Sequence, residues 1–420
     1  MPTWSEKNRS PSSRERIPIL RCLRSAIAGF LILFVAVAGA ARAGGERGTT
    51  LVILSLDGVR HDHPGRVSDG AFSRLQREGV RAMRLEPPFP ASTFPSHATL
   101  ATGCYPERHG ILNSRFLDTR RGEFDRSPDS SWIACEPLWV GAEKQGVKSG
   151  VLNWVGSYGA WRGTRATYHD ESYRERSDRE AVSEVLRWLR FPADRRPRLI
   201  MAYLKGVDHP GHLYGPDSVQ VDRRLRSEDA LLSLLLRGLE GLPEAGNINL
   251  VIVSDHGMAG RDRSFDPAAA LNRAGIRSRI LSSGGSANVY LRRNGDLERA
   301  RRILLGIPGL EVLPRGALPE DLHYLFSGRT GDLILLAPVG AGLGRESSAP
   351  GGGEGGVHGY RGSEETMGGI FFGWGTGFRR GSTVEMIRGV DIYSLACRLL
   401  GIRPSGQQQG RVPPGILRTP

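Results

Sequence analysis

The sequence predicts an α/β protein built on an open, mostly parallel sheet with helices on both faces, and three short apolar runs carry that expectation. Leu51-Val52-Ile53-Leu54-Ser55-Leu56 leads into Asp57-Gly58, Leu199-Ile200-Met201-Ala202-Tyr203-Leu204 precedes Asp208, and Leu250-Val251-Ile252-Val253-Ser254 leads into Asp255-His256-Gly257. Runs of this length without polar alternation suit strands buried on both faces, the habit of parallel sheets. Helical patterns lie between them, at Asp178 to Arg190 and Asp222 to Leu239. Such sheets gather their functional groups beyond the carboxyl ends of the strands, where each of these runs meets a charged residue.

In chain order, residues 1–43 read as an export signal. Arg14, Arg16, Arg21 and Arg24 precede an apolar run from Ala26 to Ala41, which closes at the small-x-small site Ala41-Arg42-Ala43. The run is shorter than the roughly 20 residues of a membrane span, so cleavage is favoured over retention as an anchor. The mature protein would then be periplasmic or secreted, with no stable membrane span. The full chain carries +13, of which the signal takes +5 and leaves +8. That balance attracts phosphate-bearing substrates, while no nucleic-acid-binding motif is present. Of four cysteines, Cys22 falls in the signal; Cys104, Cys135 and Cys397 lie too far apart for a Cys-based metal site. Cys104 with Cys135 is the pairing to test in an exported protein.

Residues 44–410 form the main domain. Within them, 262–345 read as an inserted α/β module, with strands at Ala287 to Leu291 and Leu333 to Leu336 around a helix near Asp296 to Leu305. Ser348 to Gly356 is glycine-rich and is expected to be a mobile loop. Residues 411–420 read as a tail.

Seven potential metal ligands fall in five places: Asp57; Thr93; Asp208 and His212; Asp255 and His256; and His358. Carboxylate and imidazole suit zinc and similar divalent cations, and strand-end placement lets distant residues converge. Singly, a strand-end Asp caps helices and a His is commonly a packed polar group. Together, an Asp-His pair ending a buried strand is costly unless something neutralises the carboxylate. In Asp208-His209-Pro210-Gly211-His212, Pro and Gly disfavour a helix, so a turn is expected to bring the outer side chains together.

The stretch Phe89-Pro90-Ala91-Ser92-Thr93-Phe94-Pro95-Ser96-His97-Ala98-Thr99-Leu100-Ala101-Thr102-Gly103 is the most informative, followed by Cys104-Tyr105-Pro106-Glu107-Arg108-His109-Gly110-Ile111. With Glu136-Pro137-Leu138-Trp139, Gly211-His212-Leu213-Tyr214-Gly215-Pro216, Ser254-Asp255-His256-Gly257-Met258, His358-Gly359-Tyr360 and Val390-Asp391-Ile392-Tyr393, it resembles the nucleotide pyrophosphatase/phosphodiesterase family of the alkaline phosphatase superfamily. The resemblance runs in order over residues 50–405. It implies a three-layer alkaline-phosphatase-like fold with a small α/β cap insertion, two divalent cations (zinc by ligand type), and Thr93 as nucleophile. One cation would fall on Asp57, Thr93, Asp255 and His256, the other on Asp208, His212 and His358. A Thr hydroxyl is inert at neutral pH, and an adjacent metal makes its alkoxide accessible.

Departures fall nearer the substrate. The family's phosphate-contacting Asn lands on Ser114, with Asn113 beside it; Ser96 replaces another Asn; Asn153-Trp154-Val155-Gly156 replaces Phe-Trp-Pro-Gly; and Lys205-Gly206 replaces acidic residues. Phe94 is placed to stack on a nucleobase with Trp154, Tyr168 or Tyr173 opposite, and core packing is the equal alternative for each. His61, Asp62, His63, His97 and His109 are left out of the site. The expected substrate is a small phosphodiester or nucleotide, hydrolysed at a phosphodiester or phosphoanhydride bond. A monoesterase or phosphonate hydrolase and a catalytically degenerate metal binder are the alternatives. No Lys or Arg stands between Pro90 and Glu107, which favours diesters over doubly charged monoesters.

Overall fold

The computed structural model describes residues 48–170, 175–344 and 355–418. The export signal, Tyr173 and all but the last two residues of the glycine-rich segment lie outside them.

Eight strands build the main sheet: β1 Thr50–Leu56, β2 Val80–Glu86, β3 Ser149–Leu152, β4 Tyr168–His169, β5 Leu199–Leu204, β6 Ile248–Val253, β7 Gly369–Gly375 and β8 Ser382–Arg388, in the order β8-β2-β7-β6-β1-β5-β3-β4. Only β7 runs against the others, pairing antiparallel with β2 and β6. The three apolar runs are neighbours: β1 pairs in parallel with β5 and with β6, and Leu56 opposes Leu204 while Ser55 opposes Val253. Their carboxyl ends therefore stop at one level.

Strand β1 buries both faces. Leu51 and Ile53 point into one core, with Ala98 and Leu100 of helix α2 (Thr93–Thr102); Val52, Leu54 and Leu56 point into the other, with helices α1 (Ala71–Glu78), α3 (Asp178–Leu189) and α5 (Val219–Glu240). The result is three layers. Helix α3 opens with a capping box, Ser177 and Glu180 each satisfying the other's backbone N–H.

A second, four-stranded antiparallel sheet spans Ser278–Ser283, Ser286–Leu291, Leu333–Leu336 and Glu311–Pro314, backed by helices Pro267–Arg273 and Leu297–Leu305 with their own core. Its first hairpin turn touches the main domain, where Gly285 N–H donates to His358 O at 2.8 Å and Ser283 Oγ lies 2.8 Å from Ser92 Oγ. The C-terminal residues fold back: Ile416 is fully buried and Leu417 bridges to Phe378. Cys104 and Cys135 form a disulfide and Cys397 is a buried free thiol.

Candidate active site

Asp57 follows β1 directly, and Asp255 and His256 follow β6 after Ser254. Ser254 is buried at no cost in unmet hydrogen bonds, donating to Val59 O and accepting from Ile370 N–H. Beyond β5 the structure corrects one expectation: Asp208–Tyr214 is a short helix, α4, rather than a turn. Pro210 falls in its first turn, where no intrahelical N–H is needed, and the i,i+4 spacing puts Asp208 and His212 on one face. Two left-handed glycines let the strand-end turns pass: a Cβ on Gly58 (φ +72°) would meet Asp208 Cα at 2.9 Å, and one on Gly206 (φ +52°) would meet Asp57 O at 2.2 Å.

Thr93 is the first residue of the wholly buried helix α2, and its Oγ1 lies 3.3 Å from His256 Nε2. His358 follows the short strand Gly356–Val357, which pairs with Ala259–Gly260 just after His256. All seven expected ligands thus meet at one end of the sheet.

They form two facing groups. In one, His212 Nε2 is 3.3 Å from Asp208 Oδ1 and 3.2 Å from His358 Nε2, and His358 Nε2 is 3.7 Å from Asp208 Oδ1. In the other, His256 Nε2 is 3.5 Å from Asp57 Oδ1 and 3.4 Å from Asp255 Oδ2. Asp208 also faces Asp57 and His256, and the rings of His256 and His358 stack with centroids 3.8 Å apart. Ligand atoms about 2.0–2.1 Å from a tetrahedral zinc lie about 3.3–3.4 Å from one another, which matches these separations.

The hydrogen bonds point the same way. His212, His256 and His358 each turn Nδ1 toward a backbone carbonyl, of Gly356 (3.0 Å), Gly257 (2.8 Å) and Ala91 (3.0 Å) respectively. That partner fixes a proton on Nδ1 and aims Nε2 at the group. Asp57 Oδ1, Asp208 Oδ1 and Asp255 Oδ2 are buried without a hydrogen bond. Carboxylates and imidazole nitrogens converging in this way suit a divalent cation. Without one, burial and the charges of Asp255 and Asp208 push the Asp57 carboxyl well above its usual range. Against burial, Asp208 lifts His212 to about 9.

The groups open into a cavity of about 450 Å³ lined by Thr93, Phe94, Ser114, Arg126, Tyr203 and Lys205, among others. Asn113 and Trp154 are not on its wall. Both are fully buried: Asn113 Oδ1 accepts from Ser114 N–H, and Trp154 stands edge-on to His97 and donates to His97 O. Phe94 reaches the wall but is only 1% exposed and packs edge-on against Phe124. Tyr168 lies elsewhere, between Trp188 and Phe191. An aromatic beside a nucleophile reads identically whether it stacks on a ligand or fills the core, and here packing claims Trp154 and most of Phe94. Of the excluded histidines, His63 Nδ1 accepts from Arg60 N–H, His97 Nδ1 bonds Thr93 O and lies 3.5 Å from Asp255 Oδ2, and His109 bonds Thr99 Oγ1.

Three wall residues escape the sequence reading as site residues. Tyr203, on β5, donates to Asp57 Oδ2 at 2.5 Å and so orients that carboxylate. Arg126 and Lys205 bring cations to a site expected to lack them, because the wall is drawn from the loops after the Gly122–Asp125 strand and after β5 rather than from the sequence neighbours of Thr93.

The type I phosphodiesterase / nucleotide pyrophosphatase family profile matches residues 51–361. A pyrophosphatase/phosphodiesterase of Schizosaccharomyces pombe is 29% identical over 394 residues, covering 87% of this chain and 80% of that protein. Human ectonucleotide pyrophosphatase/phosphodiesterase family member 1 is also 29% identical, over 86% of this chain but 41% of its own length. Among solved structures, murine ectonucleotide pyrophosphatase/phosphodiesterase 5 superposes with a TM-score of 0.81 at 26% identity, covering 88% of this chain and all of that one. The same murine protein, as an inactive variant in complex with AMP, matches at a TM-score of 0.80 and 25% identity, covering 87% of this chain and 97% of that one. With its alkaline-phosphatase-like sheet and candidate ligands for the metal on which the family depends, the chain belongs to the type I phosphodiesterase / nucleotide pyrophosphatase family.

Proposed function

We propose that this protein is an exported two-metal phosphodiesterase or nucleotide pyrophosphatase that acts through a phospho-threonine at Thr93. The observation that carries the reading is the Thr93 hydroxyl beside two groups of converging carboxylate and imidazole ligands. Asp57, Asp255, His256 and Thr93 would hold one cation and Asp208, His212 and His358 the other. Two zinc ions so bound would make the alkoxide accessible and offset the charge that develops on the phosphoryl and leaving oxygens.

The chain's own groups do the rest. Burial in α2 holds Thr93 in place, and its β-branched side chain limits the hydroxyl to few rotamers. Thr93 Oγ1 forms the new bond to phosphorus as the bond to the leaving oxygen breaks, and water then cleaves the phosphothreonine to restore the hydroxyl. Tyr203 steadies Asp57 throughout. Ser114, on the cavity wall, would donate to a non-bridging oxygen.

The murine neighbour solved with AMP supports a nucleotide as one substituent of the substrate. The Arg-rich, apolar N-terminus, the Cys104–Cys135 disulfide and relatives named as ectoenzymes support a periplasmic or secreted location. A monoesterase is the second reading, favoured by Arg126 and Lys205 on the cavity wall. Steady-state kinetics of zinc-loaded protein on bis-p-nitrophenyl phosphate and p-nitrophenyl phosphate tests both. Higher kcat/KM on the diester is expected, and equal or higher efficiency on the monoester moves the protein to the second reading.

A further inference from the structure

A second cavity, of about 730 Å³, opens on the far side of an aromatic layer from the first. Phe94, on the wall of the catalytic pocket, packs on Phe124, and Phe124 packs on Trp132, which lines the second cavity. The two spaces share that layer and no lining residue.

Two tight turns aim arginines at the cavity. One joins the strands Arg115–Asp118 and Gly122–Asp125 and carries Arg120 and Arg121. The Arg121 guanidinium lies 3.6 Å from the centre of the Trp132 ring. The other is Trp161-Arg162-Gly163-Thr164, closed by Trp161 N–H to Thr164 O at 2.8 Å and Thr164 N–H to Trp161 O at 3.0 Å. Arg162 sits there at φ +45° before Gly163 at φ +85°, with its guanidinium 4.5 Å from the centre of the Trp161 ring. A two-residue turn of this hand favours Asn or Gly first, so an arginine there is strained. Strain of that kind clusters where a side chain must be presented.

The charge is not balanced within the cavity. Asp118, the carboxylate on the wall, is already bonded by the backbone N–H groups of Arg120 and Arg121 and by Arg329 Nε at 2.8 Å. Arg329 is used up as well, donating to Gly110 O and Trp132 O. Arg120 and Arg162 make no ion pair among the described residues, and Arg121 approaches only Asp129, at 3.9 Å. Guanidinium forks match phosphate oxygens, and a guanidinium plane held against Trp offers its other face to a flat ring. The volume falls in the roughly 300–1,000 Å³ range of small-ligand pockets.

We propose that this cavity is a second ligand site, separate from the catalytic one, for a nucleoside monophosphate: phosphate on Arg120 and Arg162, ring against the Arg–Trp planes. The proposal does not depend on the reaction assigned to the first pocket. Equilibrium dialysis of AMP against the zinc-loaded protein tests it. The R120E/R162E protein should bind one AMP fewer per chain than the parent, with kcat on bis-p-nitrophenyl phosphate within about twofold. The milder R120Q/R162Q protein guards against misfolding and should weaken the same site at least fivefold. Inorganic phosphate should compete for it, and adenosine should not bind. Equal AMP stoichiometry and affinity in parent and R120E/R162E, or adenosine binding as tightly as AMP, would overturn the proposal.

Discussion

Glu228 offers a pH test of how the catalytic loop is held. It lies on α5, fully buried, with neither carboxylate oxygen hydrogen-bonded and Arg224 Nη2 2.7 Å from Oε1. Arg224 is shared with Asp178, whose Oδ1 accepts Lys205 N–H at 2.8 Å, and Arg224 Nε donates to Gly206 O at 2.9 Å. One cation thus serves two buried carboxylates while the trio grips the loop that leads to Asp208. Burial, then the charge of Asp178, push Glu228 up to about 8 from its usual 4.5, with Arg224 opposing. The folded pKa is raised, so the contribution is fully present below the unfolded value and is lost as pH climbs through the folded one. Linkage puts the loss at about 4 kcal/mol between pH 5 and pH 8.5. Glu228→Gln keeps the shape without the charge, so it should match the parent within about 1 kcal/mol at pH 5 and exceed it by about 2–4 kcal/mol at pH 8.5. Urea melts of both proteins at the two pH values are the measurement. Parallel pH dependence in the two would refute the reasoning.

Thr93→Ala should lower kcat/KM on bis-p-nitrophenyl phosphate at least a thousandfold, about 4 kcal/mol of transition-state stabilisation, with an unchanged melting curve; Thr93→Ser should retain partial activity. Chelation should inactivate the enzyme and zinc should restore it, with Asp208→Asn or His358→Ala holding close to one zinc per chain by elemental analysis. Because a cation must displace the proton that Asp208 keeps on His212 up to about pH 9, zinc affinity measured in chelator buffers should rise about tenfold from pH 7 to pH 8. Cys104→Ser should cost about 3–4 kcal/mol in urea melts, the loop-closure value for a 31-residue separation.

What the sequence discloses and what it hides follow from how each part of the molecule is built. Strands β1, β5 and β6 are buried on both faces, so their composition alone marks them, and their closing residues have nowhere to go but the common sheet end. The helix at Asp208 replaces the expected turn because the first turn of a helix tolerates Pro, while Gly211 sits where a Cβ would meet Met258 Sδ at 2.6 Å. The reversed direction of β7 leaves no trace in a run such as Gly-Ile-Phe-Phe-Gly, since a strand buried on both faces looks the same in either sense.

The cavity wall is a different case, and charge shows why. The sequence neighbours of Thr93 carry no Lys or Arg, yet Arg126 and Lys205 reach the pocket from loops 33 and 112 positions further along the chain. Ligand positions are tied to strand ends by the fold, whereas wall positions depend on where irregular loops return, which no local pattern records. Family resemblance therefore transfers the reacting groups more securely than the substrate. The Lys205 ammonium lines the pocket beside Asp208, so a substrate with negative charge on its second substituent is expected to be preferred over one ending in a quaternary amine. Lys205→Glu should reverse that order in kcat/KM between a nucleoside triphosphate and p-nitrophenylphosphocholine, while leaving the neutral-ended bis-p-nitrophenyl phosphate within about threefold. An unchanged ratio between the two charged substrates would show that Lys205 does not face the reacting end of the pocket.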